Sequence, residues 1–244
     1  MPPDAPLEQM LAMHDTLGIE RVVFTQPSVY GPDSSAILDA MARIPDRARC
    51  IIAADPDVTE TTLADLDAKG VRGVRINLDN PGGSTIPLSG IPHFAHRIAE
   101  VGWHLEFLFM AEDLPELAPM LRDLPIQKSI AHFGYMPAAE GVEYPPFQLL
   151  LDLVRDGDTW VKLSSPYRLR VSDMPPWPEA VPLAHALIEA APDRMLWATD
   201  WPHPFKFAGV PNDADLLEQL VLWAPDETTR NRILVDNPAR LYRF

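Results

Sequence analysis

Short apolar runs alternate along the chain with longer segments whose apolar residues recur at helical spacing. The runs have the length and composition of buried strands, and turn-forming residues usually follow them. The helical segments are predicted over about residues 33–43, 58–68 and 93–101, after a first helix that Asp4 caps and Gly18 closes. The predicted strands cover residues 21–26, 50–54, 71–77, 103–109, 127–132, 160–164 and 195–199.

Strands that are separated by helices must be parallel and joined by right-handed crossovers. This leaves a doubly wound sheet or a closed eight-stranded barrel. No glycine-rich phosphate loop follows any predicted strand, which disfavours a doubly wound sheet that binds a dinucleotide. Polar residues at several strand ends suit a barrel whose site lies at one rim. The sequence therefore predicts an α/β fold, a (β/α)8 TIM barrel, as one domain over residues 1–244.

The predicted strands number one fewer than such a barrel needs. The chain opens on a helix where a barrel of this type opens on a strand, so we expect the first β-strand to be the one that is lacking. A misplaced start, a truncated chain and a natural seven-stranded variant all remain open at this point.

Composition narrows the class of function. The formal net charge of -15 and a pI near 4.7 disfavour binding to nucleic acid or to anionic membrane surfaces. Cys50 is the single cysteine, which excludes an internal disulfide framework. The absence of a long apolar span and of a signal peptide predicts a cytoplasmic protein. The pattern carries no signal for an oligomeric state.

The most informative stretch is residues 194–204, where an apolar run ends abruptly at Asp200. An Asp after a strand is often only a turn former or a helix cap. Here Pro202 and Pro204 disfavour an immediate helix, and Trp201 and His203 are costly in a loop unless they line a pocket. Asp200 is therefore the candidate base, and His203 is a candidate for substrate binding.

Two other strand ends carry candidate residues. Arg75 and Asn77 alternate with apolar neighbours and share one strand face, so both are expected to point into the barrel near the rim. An inward Arg suits a bidentate contact to a carboxylate, although a surface ion pair is the commoner role. His132 ends another strand, and beside Asp200 it is a candidate to bind a substrate carbonyl or a metal.

The strand at residues 160–164 runs into a polar loop. Ser164 and Arg168 could present a hydroxyl and a guanidinium to the substrate. Lys162 alternates with apolar residues, but an exposed position is usual for Lys because an inward one is expensive without an acid partner. Arg168 is the better candidate. His104 and Glu106 also share a strand face.

At residues 197–204 the motif WATDWPHP resembles the last-strand motif of the amidohydrolase superfamily (amidohydrolase 2 family), in the branch that contains 2-pyrone-4,6-dicarboxylate lactonase. The resemblance extends over nearly the whole chain. Its supporting matches are DAP at 4–6, GVRGVR at 70–75, GWH at 102–104, SSPYRL at 164–169 and VDNPARLY at 235–242.

The resemblance implies that Asp200 activates water, that His132 polarises the scissile carbonyl, and that Arg75 and Arg168 hold substrate carboxylates. The chain departs from the family at the first strand, whose His-x-His pair is absent. It also has Pro81 and Tyr135 where the lactonase has arginines, and Leu108 where it has a tyrosine. These replacements argue against that particular dicarboxylate as substrate.

The leading hypothesis is a hydrolase that opens a lactone, carboxylated or derived from a sugar acid, in the catabolism of aromatic or sugar acids. Its partner would be a small, anionic substrate. A metal-dependent decarboxylase of the same superfamily and a catalytically impaired barrel that only binds ligand are the alternatives. Because His132 and Asp200 alone rarely hold an ion, we expect no tight metal site, and Zn or Mn only if the first-strand histidines were restored.

Overall fold

A computed structural model of the chain describes residues 4–79, 83–204, 206 and 208–244. Seven parallel strands form one curled sheet in the order β1 to β7, so each strand pairs with its neighbours along the chain. Their bounds are β1 Val22–Thr25, β2 Ala48–Ile52, β3 Val71–Asn77, β4 His104–Leu108, β5 Lys128–Ile130, β6 Thr159–Ser164 and β7 Met195–Ala198.

Helices cover the outer face of this sheet. They are α1 Leu7–Leu17, α2 Ser35–Arg43, α3 Glu60–Ala68, α4 Ile91–Ala99, α5 Leu114–Asp123, α6 Pro145–Arg155, α7 Ala180–Ala190, α8 Asp213–Trp223, α9 Glu227–Asn231 and α10 Asn237–Tyr242. None of the helices in the described ranges combines the length and hydropathy needed to span a bilayer.

The predicted α/β barrel of the TIM type is confirmed, and each of the seven predicted strands is present. β3 has the predicted bounds, β6 begins one residue earlier, β2 is displaced by two residues, and the other strands are shorter by one to three residues. The predicted cap of the first helix is wrong. Pro6 occupies the N-cap of α1 without a side-chain hydrogen bond, whereas Gly18 closes the helix in the left-handed conformation as predicted.

The core is a layer of aliphatic and aromatic side chains between the sheet and the helices. Most strand residues are buried because helices cover the sheet, and β4 and β6 are buried along their whole length. The barrel interior is more polar. Lys162 of β6 contacts Thr25 of β1, with Nζ to Oγ1 at 3.2 Å. Because β1 and β6 are not neighbours in the sheet, this contact crosses the interior and shows how strongly the sheet curls.

Candidate active site

Three loops that follow β5, β6 and β7 bring the main polar candidates together. Parallel strands put their carboxyl ends at one edge of the sheet, so residues far apart in sequence meet there. His132 lies just after β5, Arg168 just after β6 and Asp200 just after β7. The structure therefore brings together the predicted base, the predicted carbonyl ligand and one predicted arginine.

The backbone of these loops is strained. Left-handed φ angles at non-glycine residues are uncommon and cost of order 1–3 kcal/mol each, and they cluster at functional sites. Among the described residues they include His132 at 50°, Phe133 at 54°, Tyr135 at 51°, Ser165 at 52°, Asp200 at 65° and His203 at 59°. The strain falls on the loops that carry the candidate residues, which is the distribution expected of a functional edge.

One oxygen of Asp200 receives nearly all of its hydrogen bonds. Arg168 donates to Oδ2 from Nε at 3.0 Å and from Nη2 at 2.8 Å, and the Tyr167 hydroxyl donates to the same oxygen at 2.9 Å. The other oxygen, Oδ1, lies 3.7 Å from His132 Nε2. Oδ1 is therefore the oxygen of Asp200 that is left to accept a hydrogen bond from a bound water.

The charge on Asp200 is well supported. Burial by itself disfavours the carboxylate, but the Nε2–H side of the neighbouring His132 ring, the positive charge of Arg168 and the hydrogen bonds from Arg168 and Tyr167 outweigh it. Together they hold the pKa of Asp200 below its ordinary value. Asp200 is thus ionised at neutral pH and can accept a proton.

His132 is held as a neutral imidazole. Burial, reinforced by Arg168, Arg75 and Lys162, lowers its pKa to about 3. Its Nδ1 lies 2.8 Å from Ser164 Oγ. Because Nε2 faces the anionic Oδ1 of Asp200, the single ring proton is favoured on Nε2, and Nδ1 accepts from the Ser164 hydroxyl.

The donors of Arg168 point mainly to Asp200 and to groups beside it. Besides the two bonds to Asp200, its Nη1 donates to the Tyr135 hydroxyl at 3.2 Å and its Nη2 to the carbonyl of Pro204 at 3.1 Å. These donors orient Asp200 and the loop after β7. A substrate carboxylate would have to compete with an ion pair that is already formed.

Arg75 keeps more of its donors available. Its Nη1 donates to the carbonyl of Gln26 at 3.2 Å, and its buried Nε has no hydrogen-bond partner among the described residues. Asn77 is buried and anchors a loop, since its Nδ2 donates to Ser28 Oγ at 2.6 Å. Of this predicted pair, Arg75 is the one with an unmet donor that an anionic ligand would satisfy.

Ser164 and His203 were both predicted to bind substrate. In the structure Ser164 contacts His132, and His203 contacts Tyr167. Ser164 is buried behind His132. His203 is also buried, with Nδ1 3.0 Å from the Tyr167 hydroxyl and Nε2 3.3 Å from Asp213 Oδ1. Ser164 contacts the His132 ring directly, and His203 contacts Tyr167, which donates to Asp200.

The structure adds a buried ion pair that sequence reasoning missed. Lys162, for which an exposed position was the default, points inward and forms a salt bridge with Glu106. The side chains are 10% and 2% exposed, so both charges are removed from water. The signal was present, because Lys162 and Glu106 each sit between apolar residues of a strand and therefore share the inward-facing set.

Tyr167 was also missed as an individual residue, although it lies in the polar loop that the sequence singled out. Of the three replaced positions, Tyr135 bonds Arg168, and Leu108 is buried at the end of β4. Pro81 lies outside the described residues.

The donor set does not fit a resident divalent ion. No cluster of three or more His, Cys, Asp or Glu side chains within the described ranges could hold one. Of the two potential ligands, Asp200 is already paired with the Arg168 guanidinium, whose positive charge would repel a cation.

Two curated proteins are similar to this chain over nearly its whole length. The 4-sulfomuconolactone hydrolase of Hydrogenophaga intermedia is 39% identical over 99% of this chain and 80% of that protein. A 2-pyrone-4,6-dicarboxylate hydrolase of Comamonas testosteroni is 35% identical over 99% of this chain and 82% of its own.

The fold has solved counterparts. A crystal structure of a probable 2-pyrone-4,6-dicarboxylic acid hydrolase from Acinetobacter baumannii, with citric acid bound, superposes with a TM-score of 0.85. It is 26% identical to this chain, and the match covers 100% of this chain and 92% of that one. The amidohydrolase family model matches residues 1–244. By fold, motif and sequence similarity, this chain belongs to the amidohydrolase family.

Proposed function

We propose that this protein is a lactone hydrolase in which Asp200 activates the attacking water. The observation that carries the proposal is the asymmetry of the Asp200 carboxylate. Oδ2 is held by Arg168 and Tyr167, while Oδ1 faces His132 Nε2 across 3.7 Å. Two curated relatives that cover nearly the whole chain are named as hydrolases of lactones, which supports the reaction class.

The geometry around Oδ1 suits water attack on an ester carbonyl. A gap of 3.7 Å is too long for a direct hydrogen bond, so Oδ1 can accept a hydrogen bond from a water while the Nε2–H of His132 donates to the substrate. Asp200 takes the proton as the water oxygen attacks the lactone carbonyl carbon. The Nε2–H of His132 donates to the carbonyl oxygen, where negative charge develops. The ring oxygen then leaves as the ester bond breaks.

The leaving alkoxide or enolate needs a proton, and the one that Asp200 has accepted is available for it. This return restores the ionised Asp200 and yields a hydroxy or keto acid. Strong orientation of Oδ2 by Arg168 keeps Oδ1 directed at the water throughout the cycle.

An anionic substrate fits the arginine content of this edge. Arg75 has a buried donor without a partner in the part of the chain that the structure describes, and the Glu106–Lys162 pair is self-compensating. We assign Arg75 as the anchor of the substrate's anionic group and Arg168 as the residue that orients Asp200. Tyr135 stands where the lactonase has an arginine, and Leu108 where it has a tyrosine. We therefore propose a lactone whose anionic groups make fewer contacts with the protein than those of 2-pyrone-4,6-dicarboxylate.

The test is lactone opening followed in a pH-stat, since each turnover releases an acid. A panel would contain 4-sulfomuconolactone, 2-pyrone-4,6-dicarboxylate and an uncharged lactone of similar ring size. Asp200→Asn keeps the shape of the side chain but removes proton uptake, so kcat should fall by roughly 10²–10⁴-fold. Asp152→Asn, at an exposed Asp of α6, is the matched control and should keep full activity.

A decarboxylase would instead release carbon dioxide, and a barrel that only binds ligand would show affinity without turnover. Carbon dioxide release measured on the same panel separates the first, and calorimetric binding separates the second. Equal turnover by the parent and by folded Asp200→Asn would reject Asp200 as the base.

A further inference from the structure

A chain of buried polar contacts runs behind Asp200, away from the side that faces His132. Tyr167 donates to Asp200 Oδ2 at 2.9 Å, His203 Nδ1 lies 3.0 Å from the Tyr167 hydroxyl, and Asp213 Oδ1 lies 3.3 Å from His203 Nε2. The four side chains come from three elements: the loop after β6, the loop after β7, and the start of α8.

The direction of each hydrogen bond in this chain follows from proton counting. The Tyr167 hydroxyl has one proton, and the ionised carboxylate of Asp200 is a stronger acceptor than a neutral ring nitrogen. The proton therefore points to Asp200. His203 must then carry a proton on Nδ1 and donate it to the Tyr167 oxygen.

At the end of this series of contacts furthest from Asp200, His203 faces Asp213. With Nδ1 protonated, a neutral His203 would present an unprotonated Nε2 to a carboxylate oxygen, and two acceptors would face each other. His203 Nε2 and Asp213 Oδ1 are both buried and have no hydrogen-bond partner within the described residues. At 3.3 Å the two atoms have the separation of an ion pair, so a His203 protonated on both nitrogens places its positive charge beside Asp213 and keeps Nδ1–H as a donor to Tyr167.

A purely structural role for Asp213 and His203 does not explain their whole arrangement. Asp213 is the first residue of α8, where an acidic residue is favoured by the helix dipole whatever it contacts. That does not explain why its Oδ1 is buried against His203. Nor does it explain why His203 adopts a φ of 59°, a conformation that costs free energy in a residue other than glycine.

We propose that His203 and Asp213 are positioning residues that act through Tyr167 to hold Asp200 Oδ2, so that Oδ1 stays directed at the attacking water. This inference rests on the proposed role of Asp200 as the base. Neither His203 nor Asp213 touches the substrate. Their effect on the reaction passes through a single oxygen atom, the Tyr167 hydroxyl.

The test is a double-mutant cycle in lactone hydrolysis with Tyr167→Phe and His203→Gln. Tyr167→Phe removes one hydrogen bond to a charged oxygen and should lower kcat about tenfold, with KM little changed. His203→Gln should lower kcat in the same direction in the parent. In the Tyr167→Phe background it should have no further effect, because the oxygen through which it acts is gone.

A conservative variant and a control separate positioning from general destabilisation. His203→Asn can place an amide nitrogen where Nδ1 lies and tolerates left-handed backbone, so it should recover part of the lost kcat. His104→Gln replaces another buried His, which contacts Arg72 and Tyr242 at the amino end of β4. It should lower the melting temperature without changing kcat.

A measurement that needs no turnover tests the chain independently of the proposed function. In protein labelled with ¹⁵N-histidine, His203 should show slowly exchanging protons on both ring nitrogens, assigned by their loss in His203→Asn. In Tyr167→Phe the Nδ1 proton should shift or exchange faster. Multiplicative losses of kcat in the double mutant, or an Nδ1 without a proton, would overturn the proposal. An inactive parent with the expected histidine spectrum would reject the lactonase function but support the series of hydrogen bonds from Asp213 to Asp200.

Discussion

The pair formed by Arg168 and Asp200 makes the sharpest prediction about this site. Their side chains are 14% and 13% exposed, and Arg168 donates to Oδ2 from both Nε and Nη2. Arg168→Met keeps most of the length and apolar volume of the side chain but removes the charge and both donors. The carboxylate of Asp200 would then stay buried with Tyr167 as its remaining donor to Oδ2.

The expected cost follows from that burial. Removing one member of a buried ion pair costs about 3–5 kcal/mol, because the other charge stays uncompensated. Tyr167 still donates one bond, so the lower end applies, and we expect the free energy of unfolding to fall by about 3 kcal/mol at neutral pH. Turnover should also fall, since Oδ2 is no longer fixed by two donors.

The pKa of Asp200 determines in which direction stability and kcat change with pH. The folded-state pKa of Asp200 is below its ordinary value, so its ionised form adds stability at neutral pH that is lost as the pH falls through the folded-state pKa. In Arg168→Met burial is opposed by fewer favourable contacts, and the pKa of Asp200 rises. The acid limb of kcat should move to higher pH, and the stability deficit should shrink as the pH falls below the raised pKa of the variant, because its buried carboxyl is then protonated.

Urea denaturation at several pH values and a pH profile of kcat measure both effects. Arg155→Met is the matched control, because Arg155 pairs with Asp152 at 3.1 Å in a pair that is 52% and 56% exposed. Such surface pairs contribute about 0–1 kcal/mol. A stability loss in Arg168→Met no larger than in the control, with an unmoved acid limb, would refute the view that Arg168 sustains the charge of Asp200.

Three further predictions follow from the interior and the rim. Lys162→Met should destabilise the protein by about 3 kcal/mol in urea denaturation, and adding Glu106→Gln should recover part of that loss; additive losses would contradict the pair. Because the pKa of His132 is lowered to about 3, kcat should stay flat between about pH 5 and 8, and a limb near 6.5 that disappears in His132→Gln would contradict this. Arg75→Met should raise KM for a carboxylated lactone about tenfold more than for an uncharged one, and equal changes for both would remove Arg75 as the anion anchor.

The sequence by itself determined the fold class and the edge at which the site lies. Apolar runs of strand length separated by amphipathic segments require parallel pairing, and each of the seven predicted strands is present. The abrupt change from apolar to polar at Asp200, His132 and Ser164 marked the carboxyl ends of β7, β5 and β6. These are local properties of the chain, which is why the pattern alone predicts them.

Contacts between residues far apart in sequence were decided only by the tertiary structure. Period-two alternation put Lys162 and Glu106 opposite the apolar residues of their strands, yet an exposed position was expected for Lys162, and only the curl of the sheet shows that the two meet and neutralise each other. Likewise, the sequence predicted substrate contacts for Arg168, Ser164 and His203. These stay predictions, whereas the contacts of the same side chains with Asp200, His132 and Tyr167, made beside the left-handed turns after β5, β6 and β7, were not predicted. Which side chain meets which depends on backbone angles that residue type constrains only weakly, and packing across the barrel settles them.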